Sequence, residues 1–269
     1  MSNKADMKWV SQKIEEWAPL SFAEEYDNVG LLIGSKFDQV SKVLVALDAT
    51  MPVIDEAIDG SYDCIVTHHP IIREPMRRII ETEPVGDKVI KLIKNGIGLY
   101  TAHTNLDKAI GGVSDCLAQK LKIDCATIMQ KEPSNGAIGF GRVGELTNEV
   151  IFSDFADYVK QALELKDIRC VGLRDTKIKK VAVCGGSGMN FWRAAKDLDC
   201  QVYITGDVKY SDAFVAKESG LCVIDITHYS SENFIVEAIV EYLRKKAKQE
   251  EYNIQIEQSG YDGQTFYTV

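Results

Sequence analysis

Elements from the first half of this 269-residue chain recur in the same order in the second, and that repeat restricts the fold more than any other feature. Val181-Ala-Val-Cys184 matches the run that begins at Val43, and Val202-Tyr-Ile-Thr205 matches Cys64-Ile-Val-Thr67. The displacement from Val43 to Val181 equals that from Cys64 to Val202, and a short helical stretch separates the strands each time. Continuous apolar runs of this length, bounded by turn residues, are the pattern of strands buried on both faces of a parallel sheet. Further on, Gly98-Leu99 resembles Gly220-Leu221, and each leads through a strand to a His-x-x-x-acid segment, the second copy needing a few extra residues. The expectation is two similar α/β units.

Around them the periodicity predicts helices over 6–17, 52–59, 85–95 and from Gly111-Gly112 to about Lys122. Strands are expected at Gly139–Leu146 and Arg169–Leu173, flanking a helix at 152–165. A long helix should follow His228 as far as Glu250, and the alternation of Asn253–Glu257 and Gln264–Val269 predicts two last strands. Glu132-Pro-Ser-Asn-Gly136 is turn-rich and reads as a boundary.

A hydrophobic content of 45% is ample for a core, and no apolar run approaches the ~20 residues of a membrane span. The N-terminus is polar and then amphipathic, unlike a secretory signal. A net charge of −9 argues against a nucleic-acid-binding face, and Arg244-Lys-Lys-Ala-Lys248 reads as a solvated helix end. The seven cysteines are odd in number and include no Cys-x-x-Cys, which fits reduced core residues in the cytoplasm.

All four histidines lie at or just after predicted strand ends, where open α/β sheets bind ligands. His68 and His69 are adjacent; His103 precedes Asp107 by four residues, and His228 precedes Glu232 by four. Imidazole and carboxylate are the donors of borderline divalent metals, and i,i+4 residues on a helix face the same way. Adjacent histidines on an extended segment point to opposite sides and so suit two neighbouring ions, which a carboxylate such as Glu232 can bridge. Ions ~3.5–4 Å apart jointly polarise an electrophile and supply a nucleophile. The repeat makes His103 the equivalent of His228; a role beside the ions is the other reading. Asp48 reads as a helix cap in preference to a partner of a ligand, and Asp207 reads equally as a ligand or an N-cap. Cys184-Gly-Gly-Ser-Gly188 reads as a tight strand-to-helix turn in preference to a phosphate cradle, and Asp27-Asn-Val-Gly30 as a plain turn. His-x-His, His-Glu-x-x-His and the Asp-x-His with Gly-Asn-His of calcineurin-type phosphoesterases are absent.

In order along the chain, Asp27-Asn-Val-Gly30, Ala46-Leu-Asp48, Thr67-His-His-Pro70, Ala102-His-Thr-Asn-Leu-Asp107, Thr205-Gly-Asp207 and His228-x-x-Ser-Glu232 resemble the NIF-three-like family, whose bacterial members are often labelled GTP cyclohydrolase I type 2 homologues. The resemblance implies an α/β fold of two similar domains with mixed sheets, residues 1–130 and 229–269 forming the first and residues 131–228 inserted as the second. It implies that His68, His69, Asp107, His228 and Glu232 bind two divalent ions (zinc, manganese, iron or cobalt), Glu232 being shared and His103 standing close by as the candidate catalytic group. It further implies a toroidal homohexamer and a metal-dependent hydrolase acting on a small molecule such as a purine nucleotide. A metal-dependent phosphoesterase and a non-catalytic metal-bearing ring are the alternative functions. Two departures stand out: Thr227 occupies a position where the family usually has glycine, and no histidine follows Thr205-Gly-Asp207.

Overall fold

The computed structural model describes residues 5–261 and 263–267. A short strand, β1 (Ala5–Asp6), leads into helix α1 (Met7–Trp17), whose first turn is capped by Asp6 accepting from Trp9 N at 2.8 Å. Then come β2 (Gly30–Ile33), β3 (Gln39–Val40), β4 (Lys42–Ala46), α2 (Met51–Asp59), β5 (Cys64–Thr67), α3 (Pro84–Lys94), β6 (Gly98–Thr101), and the one-turn helix α4 (Thr104–Lys108). The chain continues through α5 (Val113–Lys120), β7 (Asp124–Glu132), β8 (Asn135–Ile151), α6 (Phe152–Ala162), β9 (Arg169–Val171) and β10 (Lys177–Val183). It closes with α7 (Trp192–Asp197), β11 (Val202–Thr205), α8 (Tyr210–Glu218), β12 (Cys222–Asp225), α9 (His228–Glu232), α10 (Ile235–Gln249) and β13 (Gln255–Gln258).

The chain divides into two compact units, Met1–Leu106 with Ile235–Thr265, and Asp107–Phe234 with Phe266–Val269. The first holds a five-stranded sheet in the order β13-β4-β5-β6-β2, parallel except for β2. Leu44, Ile54, Ile65, Leu92 and Leu99, from strands and helices alike, pack in one cluster on it. The second holds a six-stranded mixed sheet in the order β7-β8-β10-β11-β12-β9, in which β10, β11 and β12 are parallel. Its three parallel strands bury both faces: Val181, Val202 and Ile204 join one cluster, while Ala182, Tyr203 and Val223 join another. Each fully buried aliphatic side chain of this kind contributes about 1.5–3 kcal/mol.

The repeat extends to strand register. Val43 faces Cys64 in one unit as Val181 faces Val202 in the other. At the third strand Cys64 faces Gly98, and Val202 faces Cys222. Gly98 therefore corresponds to Cys222, whereas the sequence comparison had set it against Gly220. The true counterpart of Gly220 is Gly96; the two follow helix ends with φ of 74° and 65°. The same register sets His103 against Thr227, one residue short of the equivalence with His228 that the sequence suggested.

Other expectations need correction. Glu132–Gly136 is the turn of the β7–β8 hairpin, Glu132 pairing with Asn135 around Pro133-Ser134. The hairpin was missed because its strands lack clean alternation. One buried side chain anchors it: Arg142 forks onto Asp115 with two 2.7 Å bonds and donates to the carbonyls of Ala109, Gly139 and Gly141, so all five of its N–H groups are used. The long helix expected after His228 is two, α9 and α10, broken where the chain leaves the second unit after Phe234. Residues 264–267 form no strand, and Thr268 and Val269 lie outside the described residues. No helix among the described residues is long and apolar enough to cross a membrane. No disulfide occurs among the described cysteines, of which Cys64, Cys184, Cys200 and Cys222 are buried and Cys170 is exposed.

Candidate metal centre

In the first unit, β5 ends at Thr67 and the chain bends immediately. Thr67 Oγ1 donates to His69 O at 2.9 Å and fixes the bend. The two histidines consequently do not splay to opposite faces as an extended segment would have them: their ring centroids are 5.0 Å apart. His103, at the end of β6, joins them at 5.2 Å from His68 and 5.5 Å from His69. One ring nitrogen from each of the three lies within 4.8 Å of the others.

What orients these rings is equally specific. His68, fully buried, sets Nδ1 2.8 Å from Ala102 O. His69 sets Nδ1 3.0 Å from Asp48 Oδ1, and His103 sets Nδ1 2.9 Å from Asp27 Oδ1. A carbonyl or an ionised carboxylate only accepts, so each neutral imidazole carries its proton on Nδ1 and keeps the Nε2 lone pair for a ligand. Asp48 is therefore a partner of His69 and not the helix cap that the sequence favoured; Thr50 caps α2 instead, accepting from Val53 N. Burial opposes ionisation of Asp27, but hydrogen bonds from His103 and Thr104 outweigh it and hold the carboxyl well below the usual range. Asp27 was read from sequence as part of a plain turn. Nothing in its local pattern marks it, because its partners lie in β6 and α4, far along the chain.

In the second unit, Thr227 caps α9 and His228 begins it. His228 Nδ1 lies 2.7 Å from Asp207 Oδ2, which repeats the carboxylate arrangement. Its Nε2 lies 3.1 Å from Glu232 Oε2, one helical turn on, and the Glu232 side chain is only 4% exposed. Asp107 and Glu232 bring carboxylate oxygens within 4.8 Å of one another. Burial, and then the charges of Asp107 and Glu232, push the Cys184 thiol up to about 12. Asp207 accepts from Ser187 Oγ as well, at 2.5 Å. Burial raises its pKa, but these two bonds prevail and hold it below the ordinary carboxylate value. It does not cap α8, which starts after Lys209.

The glycine-rich turn after β10 makes room for the acid. A Cβ on Gly186, whose φ is +62°, would stand 2.3 Å from Glu232 Oε1. Its N–H donates to Ser231 Oγ at 2.8 Å, and that of Gly188 donates to Thr205 Oγ1 at 3.1 Å. The turn therefore serves packing around Glu232, and these donors are committed to side chains rather than to a phosphate.

Every histidine thus shows Nδ1 held by an oxygen acceptor, with buried carboxylates at hand. This donor set fits a divalent borderline cation such as zinc, manganese, iron or cobalt. The structure brings His68, His69 and His103 together in one unit, and Asp107, His228 and Glu232 in the other. From sequence, Asp27 reads only as a turn residue, no spacing pairs Ser187 with a histidine, and Asp207 stays undecided.

The profile of the family described as Duf34/NIF3 (NGG1p interacting factor 3) matches residues 5–262. A Clostridium perfringens protein named GTP cyclohydrolase 1 type 2 homolog is 39% identical over 233 residues, spanning 87% of this chain and 89% of the relative. Among solved structures, a Bacillus cereus protein related to NIF3 superposes with a TM-score of 0.94 at 26% identity, covering 100% of both chains. A Staphylococcus aureus hypothetical protein gives 0.93 at 30% identity, covering 99% of this chain and 100% of that one. The chain belongs to the DUF34/NIF3 family.

Proposed function

We propose that this member of the DUF34/NIF3 family holds two divalent ions through His68, His69, Asp107, His228 and Glu232, with Glu232 shared, and is a metal-dependent hydrolase. The observation that carries the reading is the uniform use of Nδ1: all four imidazoles have it engaged by an oxygen, which turns Nε2 of His68, His69 and His228 to the ions and Nε2 of His103 to proton transfer. When bound, such an ion pair supplies Lewis acidity and a nucleophile at neutral pH. The protein's own contribution is orientation and proton movement. Thr104 holds Asp27 by its N–H, and Asp27 locks the His103 ring by its Nδ1 side, so Nε2 takes and returns the proton as water adds across the scissile bond. Asp27, kept ionised, stabilises the imidazolium formed on the way.

The substrate class rests on the relatives: several are named GTP cyclohydrolase 1 type 2 homolog, so a purine nucleotide is the first substrate to offer. A toroidal homohexamer in the cytoplasm belongs to the same reading, and sedimentation of the metal-loaded protein measures the assembly. The deciding assay presents GTP and a generic phosphoester to metal-loaded wild type and to the His68→Ala, Glu232→Ala double variant. Turnover of GTP by wild type alone supports the hydrolase. Turnover of the phosphoester alone makes the protein a phosphoesterase. No turnover above the double variant leaves a metal-bearing ring without chemistry.

A further inference from the structure

Two residues after His69 the chain enters a segment, 71–85, that folds around a cavity of about 710 Å³. Its walls combine apolar side chains, Ile71, Ile72 and Val85 among them, with the arginines Arg73, Arg77 and Arg78 and the carboxylates Glu74 and Glu83, a balance of one positive charge. That volume is within the range of small-molecule sites, roughly 300–1,000 Å³. Three arginines within six residues also contrast with a chain of net charge −9.

The arginines are not equivalent. Arg78 Nε donates to Glu83 Oε1 at 2.8 Å, which neutralises it locally. Among the described residues, Arg73 and Arg77 form no hydrogen bond or ion pair within the chain, although Glu74 stands between them in sequence. Guanidinium groups left to water around an apolar recess match the oxygens of a phosphate, which they bind two at a time. The opening of α3 borders the same cavity at Val85. The segment is also tied to the histidines: Ile72 O accepts from Asn28 Nδ2 at 2.7 Å, and Asn28 adjoins Asp27, the partner of His103.

We propose that this cavity binds the phosphate of a small phosphorylated ligand, Arg73 and Arg77 gripping the anion while Ile71, Ile72 and Val85 cover its apolar or planar body. As the source of the substrate's anchor the proposal rests on the metal-centre reading, but the binding itself is measurable without it.

The test is calorimetric titration of GMP, guanosine and inorganic pyrophosphate into wild type, an Arg73→Ala, Arg77→Ala variant and an Arg73→Lys, Arg77→Lys variant, with metal content measured on each. Both arginines are exposed, so the exchanges leave the core intact. GMP should bind wild type at least tenfold more tightly than guanosine, and more weakly as salt rises. The alanine variant should lose at least tenfold toward GMP and pyrophosphate at unchanged metal content, and the lysine variant should recover part of it. Equal binding of GMP and guanosine, no binding of either phosphate probe, or an alanine variant that binds as wild type does overturns the proposal. The His68→Ala, Glu232→Ala protein separates the two readings: retained GMP affinity with metal gone keeps the cavity, whatever becomes of the metal centre.

Discussion

The strand ends of β4, β5 and β6 and those of β10, β11 and β12 are equivalent in register, yet they present opposite chemistry. In the first unit, the turn after β5 carries His68 and His69; its counterpart in the second carries Gly206 and Asp207. Asp48, which holds His69, corresponds to Gly186, which must lack a side chain so that Glu232 can lie there. Gly206 likewise clears the start of α9, since a Cβ there would stand 2.7 Å from His228 N. One copy of the scaffold has become a nitrogen donor surface backed by carboxylates. The other has become an acid surface backed by glycine turns, with a single imidazole. Two copies of one fold thus carry different chemistry at strand ends that share one register.

If the two surfaces serve the same ions, the largest effect comes from deleting a donor on either side. Glu232→Ala and His69→Ala should each lower metal content on elemental analysis by more than the roughly 10–100-fold in affinity that an orienting partner costs. His103→Ala should lose far less. Equal loss at His103 would make it a ligand and erase the distinction drawn from the register. Next in size are the orienting acids. Asp48→Asn on one side and Asp207→Asn on the other should weaken metal affinity about 10–100-fold in competition with a chelator. An effect confined to one unit would mean that the carboxylate arrangement is structural in the other.

Much of this was legible in the sequence. The parallel strands were readable because both faces are buried, so they print as continuous apolar runs, and the four histidines stood at or just after their ends. The repeat gave the order of elements but misjudged the last strand by two residues, because paired glycines look alike whether they end a helix or start a strand. Asp27 and Ser187 were legible only as turn residues, because each acts through partners that only folding brings near. The hairpin of β7 and β8 was hidden because Pro133 and Ser134 read as a boundary while actually turning the chain back on itself.

Packing predictions sharpen the contrast between the units at lower energy. Gly186→Ala forces a methyl to within 2.3 Å of Glu232 Oε1 at a φ of +62°. It should destabilise by about 1–3 kcal/mol in a denaturant titration, a typical cost of overpacking. Asp48→Ala, at the equivalent position of the first unit, should leave packing nearly unchanged while loosening His69. Similar losses at both would show that Gly186 serves no steric purpose.

The smallest effect concerns Thr227, where the two units differ by the conformation of one residue. Thr227 has φ 68° and ψ 160°, a region that a β-branched side chain enters only under strain of about 1–3 kcal/mol. What holds it there is local: its N–H donates to Asp225 Oδ1 at 2.9 Å, and its hydroxyl caps α9 at Ser230. Its counterpart His103 spends its side chain on Asp27 instead. Glycine at 227 would remove the strain and forfeit only a few tenths of a kcal/mol of capping. Thr227→Gly should therefore stabilise the protein by about 1 kcal/mol, raising Tm by roughly 2–4 °C, with His228 still seated on Asp207. A fall in Tm would mean that the threonine cap outweighs the strain and is a net gain for α9.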